Sequence, residues 1–368
     1  MGLRDYFHKR MAEWDGAAAP DLIDRAPRTT LTDFGKFQKM AKVAEQGNLS
    51  KAEQLARPLL NASNDLIRFS ALMIVSDAAL LIHDDYDKSI RLREEAIAVD
   101  YSSSVRADNL FMLGKAQELA GSPTQARASY QGALIALQDD VDPARQPLRL
   151  LAHLGISSTW GEQGWFDRAL AELDEARSVV AEPPSPDIET DLANIGMHRG
   201  ECLRQAARFN ESVAAATEAA AAYTQLSTQC ESWLRDPYIR DATTCLYIAV
   251  MAAAGGGDPA KATSLLSTAA ATESTVAEVP HRLVRLGRLA KLQLANASGE
   301  RDDDTIQWFE GTTQPNDSTT AEFRYELGKY CRQHDVHGER QAFVAALRYY
   351  EKIGHRVMAP RLLSELGT

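Results

Sequence analysis

Cys331, His334 and His337 follow one another in steps of three with Asp335 among them, and this is where the sequence gathers potential metal ligands. On an unbroken helix that spacing keeps side chains near one face, as a zinc site requires. The register set by Gly328 argues the other way. It puts Cys331 where a side chain packs between paired helices and His337-Gly338 in the following turn, so no metal is expected. His153 and His198 fall on expected helices and read as satisfied structural histidines. The four cysteines, Cys202, Cys230, Cys245 and Cys331, lie far apart without a Cys-x-x-Cys and read as small apolar helix residues. Nucleophilic and phosphoryl-transfer chemistry lack a starting residue, because neither a Gly-x-Ser-x-Gly elbow, a kinase motif set nor a Gly-x-x-x-x-Gly-Lys-Ser/Thr loop occurs. Acidic runs such as Asp84-Asp85 and Asp302-Asp303-Asp304 read as solvated loops and helix N-caps. The expectation is a protein without cofactor or enzymatic activity.

A second group of residues points to recognition. From His281 to Lys291 the chain reads His-Arg-Leu-Val-Arg-Leu-Gly-Arg-Leu-Ala-Lys, which gathers Arg285, Arg288 and Lys291 on one polar helix face. The formal net charge is −11, so this is a local reversal of sign. It is read as a receptor for an acidic side chain or a terminal carboxylate, the alternative being a solvated face neutralised by Asp302 to Asp304. The same net charge disfavours nonspecific contact with DNA or an anionic membrane. Met1 to Gly16 carries charges throughout and shows no apolar signal-peptide core, nor does any later stretch reach the roughly 18 apolar residues of a membrane span. A cytoplasmic location is expected.

Elements that position these residues emerge from self-similarity. Leu110, Leu113 and Gly114 are followed by Ala126, Tyr130 and Ala133; Gly200 is followed by Ser212, Ala216 and Ala219 at the same spacing. Leu154 and Gly155 with Ala169, Leu173 and Ala176, and Leu327 and Gly328 with Ala342 and Ala346, repeat it with two extra residues in the turn. The small residues allow two antiparallel helices to touch, and the large ones fill the space between pairs. Weaker members run through Ala52 and Ala56, Ser89 and Ala96, and Ala262 to Ala269, and Gly287 is paired with a poor second half around Ile306 to Phe309. Loops are expected at 182–186, around Asp236-Pro237, and at 299–304 and 311–318. The pattern predicts an all-α chain, with a segment and linker at 1–28 and a solenoid of about eight helix pairs over 29–368.

These residues resemble the tetratricopeptide superfamily over roughly residues 30 to 365. The long repeats are similar to those of bacterial sensor-type members, the Rap-type pheromone receptors and the repeat domains of MalT-like regulators. The resemblance implies a right-handed superhelix whose concave groove binds a peptide or protein segment, as in a sensor or regulator. Carried onto this chain, the groove positions include Phe111 and Lys115; Met197, Glu201 and Arg204; and Tyr325, Lys329 and Arg332. His281, Arg288 and Lys291 join them, with Arg285 as a further contributor. The ATPase loop of MalT-like regulators is missing, and no residue matches a catalytic position of the Rap N-terminal bundle. Val43 to Ala52 also looks like the opening of a LysR-type helix-turn-helix, which would make the protein a DNA-binding transcriptional regulator. The following Leu59 to Asp65 is poor in base-reading side chains, so nucleic acid is the runner-up partner.

Overall fold

A computed structural model describes residues 31–45, 48–99, 103–140, 142, 145–180, 186–312 and 314–367. The expected segment 1–28, the turn residue Gly47 and loop residues 181–185 lie outside them. Among the described residues there are seventeen α-helices, a short 3-10 turn at Arg57–Leu59, and no strand. None of the described helices is long and apolar enough to cross a membrane.

The helices come in pairs: α1 (Leu31–Glu45) with α2 (Leu49–Ala56), α3 (Asp65–Leu81) with α4 (Tyr86–Ile97), and α5 (Ser103–Leu119) with α6 (Pro123–Ala136). Then follow α7 (Gln146–Glu162) with α8 (Phe166–Ser178), α9 (Pro186–Gln205) with α10 (Phe209–Gln229), and α11 (Ser232–Gly255) with α12 (Pro259–Glu273). The last pairs are α13 (His281–Ser298) with α14 (Asp303–Glu310) and α15 (Ser318–Gln333) with α16 (Glu339–Lys352), and α17 (Met358–Leu366) packs on α16. The chain divides into two compact units, Met1–Leu148 and Arg149–Thr368.

Local chemistry explains where helices begin. Asn48, Asn64, Asp85, Asp258, Asp302 and Asp317 each accept a hydrogen bond from the backbone N–H three residues on, satisfying a donor that the first helical turn leaves free. Pro123 and Pro259 open α6 and α12, where a missing N–H costs nothing. Asp236-Pro237, expected in a loop, instead lies inside α11. Pro237 is close enough to the helix start that few backbone bonds are forfeited, and the break falls at Cys230 and Glu231.

Small residues then let the helices touch. A Cβ added to Gly114 would come 2.7 Å from the Tyr130 ring, and one added to Gly200 would come 3.0 Å from the Ala216 Cβ. Gly328 meets the ring of Phe343 in the same way. Serines fasten pairs across the contact from either side: Ser212 on α10 donates to the Gly200 carbonyl on α9 at 2.7 Å, and the Ser157 hydroxyl on α7 donates to the Ala169 carbonyl on α8 at 2.9 Å. Gly287 differs from expectation. It faces Tyr247 on α11, 2.8 Å from a Cβ built there, and so serves contact between successive first helices, with α14 to one side.

In unit 1 the core gathers Met40, Phe69, Leu72 and Ile74 with Ala52 and Ala56. Arg93, fully buried, is neutralised by Asp77 and also donates to Ser76 and to Asn109 at 2.7 Å. In unit 2 the largest cluster runs through α10, α11 and α13, from Tyr223 through Cys245 and Tyr247 to Leu289.

Candidate partner-binding site

Unit 2 presents a face built from its first helices, and at its centre stands Arg204. The last turn of α9 carries it, one helical turn beyond Gly200, whose lack of a side chain seats α9 against α10. Arg204 is 8% exposed. Its guanidinium donates to Glu201 at 2.9 and 2.7 Å and reaches across to both carboxylate oxygens of Glu322 on α15, one at 2.9 Å. Gln205 donates to Glu201 at 2.7 Å, and Gln293 on α13 donates to Glu322 at 2.8 Å. Burial would raise the Glu201 carboxyl, but the Arg204 charge, with hydrogen bonds from Arg204 and Gln205, holds it below the usual carboxylate range. Burial alone would lower Arg204, yet the two carboxylates keep it firmly charged. The result is a compact ionic cluster joining three helices.

Other polar rungs fasten α13 to α15. Arg285 donates to both oxygens of Asp317, at 2.8 and 2.6 Å, and to the Thr320 hydroxyl at 2.6 Å. Asn296 donates to the carboxylate of Glu326 at 2.8 Å, and Lys329 meets the same carboxylate at 2.8 Å. Burial pushes the Asp317 carboxyl up, and Arg285 more than reverses it, leaving the group below its ordinary value.

Unit 2 also curls so that its α7–α8 turn meets its α16–α17 turn. Gln163 donates to the Ile353 carbonyl at 3.1 Å, and the Arg356 N–H donates to the Gln163 carbonyl at 3.1 Å. Arg356 lies 3.8 Å over the Trp165 ring. Gly164, at φ +75°, takes a left-handed conformation, and a Cβ there would lie 2.8 Å from the His355 ring. His355 is buried, its Nδ1 accepting the N–H groups of Val357 and Met358 at 3.2 and 3.1 Å, and burial lowers its pKa to about 4.

The residues expected in a groove separate into distinct environments. In unit 1, Phe111 is buried against Tyr130, and Lys115 pairs with Glu118 at 3.0 Å. In unit 2, Met197 is half-buried against the core, while Glu201 and Arg204 form the cluster above. Arg285, expected to contribute to the exposed basic stripe, is buried in its pair with Asp317 and turned toward α15. Arg288 points the other way, 5.7 Å over the Trp308 ring of α14, and His281 lies 5.8 Å from the same ring. Lys291 is exposed. Tyr325 is buried beside Phe343, and burial pushes its hydroxyl up to about 12. Lys329 pairs with Glu326, and Arg332 binds Glu339 and Glu365 at the exposed edge.

Cys331, His334 and His337 do not converge. The Cys331 thiol is buried toward the His337 carbonyl and His334 reaches the Glu300 carbonyl, and no group of three metal-ligating side chains assembles among the described residues. The buried Cys202 thiol is pushed up to about 12, so at neutral pH it stays protonated and unreactive.

No family model and no curated protein matches the sequence. Among solved structures, the chain is similar to a Rap protein complexed with competence and sporulation factor, at TM-score 0.58 and 13% identity over 99% of this chain and 95% of the other. The apo form of the quorum sensor NprR from B. thuringiensis aligns at TM-score 0.59 and 10% identity, over 99% of this chain and 96% of the other. Aspartyl phosphate phosphatase F from Bacillus subtilis aligns at TM-score 0.59 and 12% identity, over 96% and 90%. The fold is that of the tetratricopeptide-like repeat proteins.

Within that fold the repeat register includes Arg204 and Glu201 but not Gln293, which completes the cluster, nor the contact between the Gln163–Trp165 and Ile353–Arg356 turns. Gln293 was hidden because Gly287 set a register for α13 that its packing against Tyr247 does not follow. The first of these turns did carry a signal, since Trp165 stands in it and Trp160 and Phe166 flank it, where a tetratricopeptide-like turn needs only small or polar residues.

Proposed function

We propose that this protein is a non-enzymatic repeat scaffold that binds a peptide or protein segment on the first-helix face of its second unit. The observation that carries the reading is the Arg204–Glu201–Glu322–Gln293 cluster. Burying charged groups is costly, and an apolar filling of similar volume is often as stable or more so, so an ionic centre is poorly explained by stability alone. Its amide and carboxylate groups are the kind that fix an extended backbone, and half-buried Met197 nearby offers an apolar contact. The sensor-type relatives in fold support a binding role by likeness of architecture. The role as a sensor or regulator, and a location in the cytoplasm, are part of the same proposal.

The test is a selection of random twelve-residue peptides displayed on phage, followed by titration on wild type and Arg204→Met. The expected outcome is a selected peptide whose affinity falls by about tenfold or more in the variant while its helical signal is unchanged. Equal binding by both proteins would refute the site.

A further inference from the structure

The second-helix layer of unit 2 has a notch. Helix α14 has 8 residues, whereas α12 and α16 have 15 and 14. The short helix leaves part of α15 uncovered, and a cavity of about 330 Å³ opens between α14, α15 and α16. Its apolar lining includes Ile306, Phe309, Leu327 and Ala345. A second cavity of about 300 Å³ shares Arg324 and Ala345 with the first and adds Arg348.

The charges at the notch differ from those of the two buried arginines. Arg204 and Arg285 are matched by carboxylates. Arg324, half-buried, and Arg348, exposed, have no carboxylate partner among the described residues, although the chain as a whole is strongly acidic. Asp303 on the cavity wall is already held by Tyr330 and Arg301, and Glu310 stands at its rim. An apolar recess beside two unneutralised guanidinium groups complements one kind of ligand, a segment with an apolar side chain next to a carboxylate. Arginine's planar fork accepts a carboxylate through two parallel hydrogen bonds.

We propose that the notch between α14 and α16 is a second docking site, and that it takes an acidic peptide segment of a partner protein. The apolar side chain of the segment enters the recess, and its aspartate or glutamate lies across Arg324 and Arg348. This site stands on the second-helix side and does not depend on the reading of the Arg204 face.

The experiment is a phage selection of random twelve-residue peptides on the wild-type protein, with counter-selection on the Arg324→Glu/Arg348→Glu variant. Enriched peptides are expected to carry an acidic residue beside a leucine-like one. As fluorescein conjugates they should lose tenfold or more in affinity to Ala345→Trp, which fills the recess, and to Arg324→Ala/Arg348→Ala. They should bind Arg204→Met as they bind wild type, so that failure here and failure of the first-helix site are told apart. Absence of differential enrichment, enriched peptides without acid, or equal binding to Ala345→Trp would overturn the proposal. A fluorescein-labelled single-stranded DNA that binds more tightly than the peptides and is lost with the same arginines would also overturn it, by making the notch a phosphate site.

Discussion

Arg285 and Arg204 show how two arginines in one repeat array come to different uses. Both are buried and both hold a carboxylate. Arg285 joins neighbouring helices, whereas Arg204 spans from α9 to α15. Replacing Arg285 with Met removes three charge-assisted hydrogen bonds and should cost roughly 1.5–3 kcal/mol at neutral pH. Because Asp317 has a depressed pKa in the folded state, the stability it supplies is present above its unfolded value and disappears as pH falls. The difference in melting temperature between wild type and Arg285→Met should therefore narrow as pH is lowered below about 4. A constant difference would contradict the assignment.

His355 starts neutral where Asp317 starts charged, and it has the same sign of linkage. Its folded pKa of about 4 lies below the ordinary 6.5, so the unfolded chain takes up a proton first as pH falls. No stability is lost above that ordinary value, and on the order of 3 kcal/mol disappears between there and the folded pKa. A proton on Nδ1 would face the N–H groups of Val357 and Met358, with the Arg356 charge close by in sequence. His355→Asn should flatten the fall of melting temperature between pH 6.5 and 4, the window set by these two values. An unchanged slope would show that another group controls it. Neither arrangement was legible in the sequence, because Arg285 and Asp317 are separated by 32 positions and His355 is covered by Gly164 and Phe166 from a distant turn.

At the scale of the helix, what the sequence made legible was the set of positions where backbones touch. Gly114, Gly200 and Gly328 were placed by spacing alone, and each meets the second helix of its own pair. Gly200→Leu should therefore lower stability by roughly 1 to 3 kcal/mol or more, since the Ala216 Cβ leaves no room. An unchanged melting temperature would sink the register for that pair. Gly287 was misread because a glycine on a helix does not say which neighbour it admits. With α14 reduced to 8 residues, the close approach is made to α11 instead. The basic stripe was misread for the same reason, since Arg285 and Arg288 diverge to α15 and α14 once the helix has neighbours on both sides. Caps were easier: Asp258→Ala should cost about 1 kcal/mol by freeing the Lys261 N–H. Pro237 reads as a break in isolation but is accommodated near a helix start.

For the whole chain, fold class follows from a repetition that each segment carries locally, which is why it survives at 10–13% identity to proteins of the same architecture. A repeat scaffold's core is specified by small and apolar residues at fixed intervals, and those intervals are visible without any partner. Its ligand is specified by a few side chains whose mutual placement depends on how successive pairs rotate, and spacing does not encode that rotation. Thus Phe111 and Tyr325, placed on a groove by position, are buried in the structure, while Gln293 enters the polar centre unannounced. The central claim is that the Arg204 cluster receives a partner segment. Isothermal titration of a peptide selected on the wild-type protein, run in parallel on wild type, Arg204→Met and Arg285→Met, tests it most directly. The account predicts a loss of about tenfold or more for Arg204→Met alone, with Arg285→Met binding as wild type at a temperature where all three are folded. Retained affinity in Arg204→Met, or an equal loss in both variants, would contradict it.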